Sequence, residues 1–188
     1  MGRLSPCRDK VATLALLDEV SPTAAIAGAC NAVRCGPEGQ LQGDMFDGEG
    51  FVRGLRRKGV LLTGASALVV GCGGVGSAIA ASLAAAGVAR LALFDVSAAS
   101  AAALRGRLIK HYLSLEVATG SNDLAGFDVV VNGKPMGMNQ GEAMPMDVWR
   151  LDPTTFVGEV VMKAEMTAFL AAAKARGCAV QIGTDMLF

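Results

Sequence analysis

Gly71, Gly73 and Gly76 stand at the spacing of a turn that carries a chain from a strand into a helix while its amides face an anion. Gly71 would make the tight bend, Gly73 would let backbone approach phosphate oxygens, and Gly76 would let the helix pack closely. With Cys72, Gly74 and Val75 between them, these residues are candidates to hold the pyrophosphate of a dinucleotide on N–H groups at a helix start. Asp95 lies 19 residues beyond Gly76, closing the run Arg90-Leu91-Ala92-Leu93-Phe94. A carboxylate there would accept hydrogen bonds from the adenosine ribose hydroxyls. A glycine-rich turn in another βαβ unit would share the first feature. The order strand, turn, helix, strand, acid favours the dinucleotide.

Positioning these groups requires a parallel sheet. From residue 61 onward short apolar runs alternate with longer alanine-rich segments, the pattern of an α/β, Rossmann-type doubly wound parallel sheet. Strands are expected at 67–70, 91–94, 114–118, 129–132, 156–161 and 179–182, and the clearest helices at 75–86, 98–110 and 165–176. A Gly/Pro/Met loop follows Asn132, at the carboxyl end of a strand where cofactor loops sit. Before residue 61 the pattern changes. A helix is expected over 11–20, two strands at 31–34 and 40–42 around Gly36-Pro37-Glu38-Gly39, and a helix over 49–58.

Composition removes several function classes. Lysine plus arginine and aspartate plus glutamate both number 17, so no overall basic field exists to attract nucleic acid or an anionic membrane, and a small-molecule partner fits better. Cys7, Cys30, Cys35, Cys72 and Cys178 form no C-x-x-C pair, and His111 is the single histidine. No metal site is expected, and reduced thiols suggest a cytoplasmic setting. Residues 64–89 carry no charge over a length that would satisfy a membrane window. They are rich in Gly, Ala and Ser and contain the turn, so a buried strand and helix are expected instead. The start of the chain, with Arg3, Arg8, Asp9 and Lys10, lacks the apolar run of a secretory signal.

Several ordered segments resemble the shikimate/quinate dehydrogenase family. Gly28-Ala29-Cys30-Asn31-Ala32-Val33 is similar to its G-A-x-N-T-V segment, and Gly43-Asp44-Met45-Phe46-Asp47-Gly48-Glu49-Gly50-Phe51 to its G-x-N-T-D-G-x-G-F segment. Leu16-Leu17-Asp18-Glu19-Val20 resembles L-C-D-E-L, which puts Lys10 on the lysine of P-x-K without a gap. Asn132-Gly133-Lys134-Pro135-Met136-Gly137-Met138 resembles N-A-T-P-x-G-M, and Gly183-Thr184-Asp185-Met186-Leu187 the closing G-x-x-M-L. The resemblance implies a nicotinamide-dependent oxidoreductase in which hydride passes between the cofactor and a ring carbinol carbon of a cyclic polyhydroxy carboxylate. Lys10 and Asp47 would be the catalytic pair, handling the hydroxyl proton as hydride leaves. Asn31, Asp47 and Met162 would meet the substrate, and Asn132, Val160 and Gly183 would join the turn in facing the cofactor. Lys10 as a solvated surface charge, Asp47 as a helix N-cap and Asn31 as a turn residue remain the alternatives.

Departures from the family pattern carry their own expectations. Residues 1–60 read as the remnant of a truncated α/β substrate domain, and 61–188 as the dinucleotide-binding domain with a return segment. The family's carboxylate-binding N-terminal portion and its closing helix have no counterpart in this chain. A non-catalytic NAD-binding fragment is therefore a second reading, as is a different hydroxy acid substrate. A homodimer is also admitted, because missing strands would expose a sheet edge. Lys134 replaces a small hydroxyl residue. Glu159-Val160-Val161-Met162 replaces D-x-x-Y, and the methionine cannot donate a hydrogen bond. Asp95-Val96-Ser97 replaces the N-R-T of NADP-using relatives, and a carboxylate repels a 2′-phosphate, so NAD is expected over NADP.

Overall fold

The computed structural model describes residues 3–4, 10–136 and 143–187. Gly137 and Met138 of the loop after Asn132, and Cys7 to Asp9, lie outside the described residues. The chain opens with a small sheet of β1 (Arg3–Leu4), β2 (Glu19–Val20), β3 (Ala32–Cys35) and β4 (Leu41–Asp44), in the order β1-β3-β4-β2. β3 and β4 form an antiparallel hairpin that pairs Ala32 with Asp44 and Cys35 with Leu41. The glycine-proline segment between them supplies the turn.

The expected helix over 11–20 is not formed. A 3-10 helix at Ala12–Leu16 buries no residue, and Glu19 and Val20 instead pair in parallel with Gln42 and Gly43 of β4. With no residue of the segment buried, a helix here gains little from packing, whereas the edge of β4 offers Val20 and Glu19 a ladder of hydrogen bonds. The helix in this part of the chain is α1 (Pro22–Ala27). Ser21 caps it by accepting from the Ala24 N–H at 3.1 Å, Pro22 occupies its first turn, and Gly28 ends it in the left-handed region at φ 66°. Serine, proline and glycine at those offsets are readable helix boundaries.

α2 (Asp47–Arg57) leads into the larger sheet, built from β5 (Ser66–Val70), β6 (Arg90–Phe94), β7 (Glu116–Thr119), β8 (Val129–Asn132), β9 (Phe156–Glu159) and β10 (Ala179–Gln181). All its pairings are parallel, in the order β10-β9-β8-β5-β6-β7. The strands follow the expected segments with ends that differ by no more than two residues: β5 and β6 start one residue earlier, β7 is shifted toward the C-terminus, β8 matches, and β9 and β10 end sooner. α3 (Gly74–Ala85), α4 (Ala98–His111) and α5 (Ala168–Ala175) cover the faces. α5 starts later than expected because the Thr167 hydroxyl caps it at the Leu170 N–H, 3.3 Å away.

The charge-free stretch is β5 followed by α3, both buried. Along β5 the side chains alternate between two apolar clusters, Ala67 and Val69 on the side of α2, α3 and α4, Leu68 and Val70 on the side of α5. α3 is buried nearly all round because α1 and α2 pack on its outer face. Among the described residues no helix is long and apolar enough to cross a membrane. Phe51, Val52 and Leu55 of α2 enter the same cluster as Val69, Ile79 and Leu83. The final 3-10 helix, Gly183–Leu187, lies back along α2, where Lys58 meets Asp185 at 3.1 Å.

The chain leaves β5 toward β6 and β7 and then returns across it to β8, β9 and β10. The carboxyl ends of β5 and β8 therefore mark the point where strand order reverses, the end at which doubly wound sheets bind their ligands. Val70 and Asn132 are register partners at that end.

Candidate active site

Gly71 leaves β5 at φ 103°, a conformation strained for any residue with a side chain. Its N–H donates to the Phe94 carbonyl at 2.7 Å, and the Cys72 N–H donates to Asp95 Oδ2 at 2.7 Å. The turn is thus fastened to the end of β6, and Asp95 is fastened with it. The other carboxylate oxygen accepts from the Ser97 N–H at 2.8 Å. Gly73 is the N-cap of α3, and a Cβ built on it would meet nothing within 4 Å, so its backbone faces open space. The amides of Gly74, Val75 and Gly76 lie in the first turn of α3, where no carbonyl one turn behind can take them. Gly76 sits where a Cβ would fall 1.8 Å from the Gly71 carbonyl oxygen. An open glycine face, first-turn amides and a fixed carboxylate at the next strand end suit a dinucleotide diphosphate and its adjoining ribose.

Cys72 belongs to the turn but not to the chemistry. Burial pushes its thiol up to about 12, with Asp95 adding to the effect and Arg107 opposing it. It stays protonated at neutral pH and is a poor nucleophile.

A second group of polar side chains converges beside this turn. Lys10 is nearly buried, and its ammonium donates to Asp47 Oδ2. Asn31 Nδ2 donates to Asp47 Oδ1 at 2.6 Å, and Asn31 Oδ1 accepts from the Phe46 N–H at 3.0 Å. Asp47 is therefore not the N-cap of α2. Phe46 holds that position, and Asp47 spends both oxygens on Lys10 and Asn31. The Cys30 N–H donates to the Lys10 carbonyl at 2.8 Å, which ties the Lys10 backbone to the segment carrying Asn31. A Cβ on Gly74 would lie 3.5 Å from Lys10 Cβ, so the lysine packs against the first turn of α3. The Lys10, Asp47 and Asn31 group and the glycine turn thus share one wall.

The remaining expected residues occupy the carboxyl ends of the other strands. Asn132 is fully buried, and its Oδ1 accepts from the Lys134 N–H at 3.1 Å. The Val160 N–H donates to the Asn132 carbonyl at 3.2 Å. Gly183 is buried where a Cβ would meet the Val161 carbonyl oxygen at 2.1 Å. Met162 is 48% exposed and stands outside the hydrogen-bonded group of Lys10, Asp47 and Asn31.

Glu159 and Arg107 gave no clear warning in their local pattern. Arg107 on α4 reaches to the end of α1 and donates to the Ile26 carbonyl at 2.8 Å and the Ala27 carbonyl at 3.2 Å. It joins the two sheets just ahead of Asn31. A cation at a helix carboxyl end is favourable, but its partner is about 80 positions away in sequence. Glu159 is fully buried in register with Asn132, and neither of its oxygens closes a well-formed hydrogen bond. Burial raises its pKa, while the neighbouring Thr167 hydroxyl and Asn132 amide act in the opposite direction.

Because the folded protein holds this proton more tightly than the unfolded chain, stability falls as pH rises above the ordinary glutamate value of 4.5. The loss levels off above the raised folded-state value. Glu159→Gln removes the titrating group and is expected to gain roughly 1–2 kcal/mol at pH 8, a Tm rise of about 3–8 °C. At pH 4 the gain vanishes. Melting curves across that range check this, and a variant no more stable than the parent at pH 8 refutes it.

Comparison with known proteins decides the family. Residues 56–104 match the model of the ThiF family, over the β5, turn and α3 unit and beyond. A quinate/shikimate dehydrogenase (NAD(+)) of Corynebacterium efficiens is 39% identical over 184 residues, covering 94% of this chain. The solved quinate dehydrogenase from Corynebacterium glutamicum, in complex with NAD, superposes with a TM-score of 0.87 at 34% identity, covering 99% of this chain and 68% of that one. The chain belongs to the shikimate/quinate dehydrogenase family. Another member, a shikimate dehydrogenase (NADP(+)) of Paracoccus denitrificans, is 34% identical over 180 residues, covering 95% of this chain. Relatives within the family therefore include both NAD and NADP forms, and a nicotinamide dinucleotide cofactor is common to them. The chain spans 64% of the length of both curated relatives.

Proposed function

We propose that this chain binds NAD and carries the hydride-transfer centre of a shikimate- or quinate-type dehydrogenase, acting reversibly on a ring hydroxyl of a cyclic polyhydroxy carboxylate. The observation that carries this reading is the Lys10, Asp47 and Asn31 group packed against the first turn of α3. Asn31 and Lys10 grip the two oxygens of Asp47, so the carboxylate is held in one orientation and the ammonium is held beside it. A substrate hydroxyl placed between Lys10 and Asp47 can pass its proton to this pair as the carbon loses hydride. Asn31 keeps the carboxylate aimed. Packing of α1 and α2 on α3 sets the distance to the cofactor cradle. The test is absorbance at the NADH band with NAD and either shikimate or quinate. Growth of that band with saturable dependence on both reactants supports the reading.

A second reading is a dinucleotide-binding chain without turnover, in which the Lys10, Asp47 and Asn31 group serves only to pack the smaller sheet on α3. Calorimetric uptake of NAD with no NADH formed on either substrate selects it. The exposed Met162, where the family has a tyrosine, favours a third, an altered hydroxy acid substrate. A panel of hydroxy acids separates that reading from the first.

The preference for NAD rests on Asp95. Its carboxylate is held by two backbone amides at the end of β6, so it can accept from both ribose hydroxyls and repel a 2′-phosphate. Val96 is 88% exposed, which leaves room for a longer side chain. Asp95→Asn with Val96→Arg is expected to move the ratio of kcat/KM values toward NADP by about 100-fold. An unchanged ratio removes Asp95 from cofactor selection.

A further inference from the structure

Lys134 is the residue that most clearly departs from the family pattern in the loop after β8, and the fold puts it against the diphosphate cradle. The Gly133 N–H donates to the Val70 carbonyl at 2.7 Å, which seats this loop on the end of β5. A Cβ on Gly133 would lie 3.0 Å from the Gly71 carbonyl oxygen and 3.1 Å from Gly76 Cα, so the loop rests directly on the glycine turn. The next residue is fixed by its N–H on Asn132 Oδ1, and its side chain crosses Gly71, where a Cβ would be 2.8 Å from Lys134 Cγ. The ammonium ends on the Pro145 carbonyl at 3.3 Å.

Three cations reach the turn among the described residues. Lys10 packs on Gly74 but is neutralised by Asp47. Arg107 stands near Cys72 but is held by two carbonyls at the end of α1. Lys134 has a long contact to one neutral carbonyl, and no carboxylate among the described residues pairs with it. A half-buried ammonium whose acceptor among the described residues is one weak carbonyl retains most of its capacity to pair with an anion. Its stem is anchored over Gly71, so rotation about the outer bonds moves the charge without moving the loop.

On the reading that the turn seats a dinucleotide, we infer that Lys134 is a cofactor-binding residue whose ammonium leaves the Pro145 carbonyl to pair with the diphosphate. The first-turn amides of α3 supply partial charges, and Lys134 adds one full positive charge to the same anion. Cofactor affinity then has a salt-dependent component located at this side chain.

The test is calorimetric titration of NAD and of ADP-ribose, which share the diphosphate, into the 188-residue chain at low and high salt. Lys134→Gln is expected to weaken both ligands about tenfold at low salt and to lessen the salt dependence. Lys134→Arg is expected to stay within about threefold of the parent, and Lys134→Glu to weaken binding more than Lys134→Gln. Melting of the ligand-free variants close to the parent shows that the fold is kept. Equal affinities for parent and Lys134→Gln overturn the proposal, as does a loss with unchanged salt dependence, which marks a purely structural tether to Pro145. If the parent itself binds neither ligand, the dinucleotide reading falls and this inference falls with it. A parent that binds while Lys134→Gln binds equally well defeats the inference alone. Should Lys134→Gln not fold, the comparison of Lys134→Arg with Lys134→Glu decides by the same criteria.

Discussion

Lys10→Met is expected to lower turnover of NAD with shikimate or quinate by about 10²–10⁴-fold while NAD affinity changes little. Methionine keeps an unbranched stem to pack over Gly74 but cannot donate to Asp47 or carry a proton. The carboxylate would then be held by Asn31 Nδ2 alone. Loss of the proposed proton-handling group is expected to fall on kcat, whereas the contacts proposed for the cofactor at the turn and at Asp95 are expected to be untouched. Steady-state kinetics together with NAD calorimetry separate these effects. Turnover within a few-fold of the parent excludes Lys10 from the chemistry. A collapse of NAD affinity assigns it a structural role instead, in holding α3 against the smaller sheet.

Gly76→Ala has the second large expected effect, and it acts on the cofactor half. The added methyl would stand 1.8 Å from the Gly71 carbonyl oxygen and 2.9 Å from its carbonyl carbon. Both obstacles are backbone, so no side chain can turn aside. Either the turn opens or α3 shifts away from β5, and both outcomes spoil the amide cradle. A cost of about 3 kcal/mol is expected, near the upper end for overpacking, which is a fall of about 10 °C in Tm. NAD uptake is expected to weaken by more than about 100-fold. Gly106 is the control. It is an exposed glycine in α4, and a Cβ there meets nothing within 4 Å. Gly106→Ala is expected to stabilise the helix by about 1 kcal/mol. A Gly76→Ala protein that melts with the parent and binds NAD normally contradicts the close approach.

The two variants probe parts of the site that differ in how readily the chain reveals them. The unit from β5 through the turn to α3, with Asp95 after it, is legible because its determinants are local. A short continuous apolar run buried on both faces makes the strand, glycine at Gly71 permits φ 103°, and a second such run follows as the next strand. The hairpin of β3 and β4 is legible for the same reason, since its turn residues lie between the paired strands. The segment 11–20 was not, because its spacing suits a helix while the edge of β4 draws Glu19 and Val20 into a sheet. α1 carries boundary residues in Ser21, Pro22 and Gly28, but its six residues are too few for a helical burial period to stand out from the neighbouring apolar run.

By itself the amino-acid order determined the parallel α/β architecture, the glycine turn, the carboxylate that follows it and, through its ordered motifs, the family. Tertiary structure alone decided that Lys10, Asn31 and Asp47, separated by up to 37 positions, meet on one side of α3. It also decided that Glu159 is sealed from water, that Arg107 clasps the end of α1, and that Lys134 lies across Gly71. The physical reason is range. Backbone sterics and burial period act over a few residues and leave their mark in local spacing, whereas convergence of polar side chains depends on how α1 and α2 pack against α3 and how strand ends align.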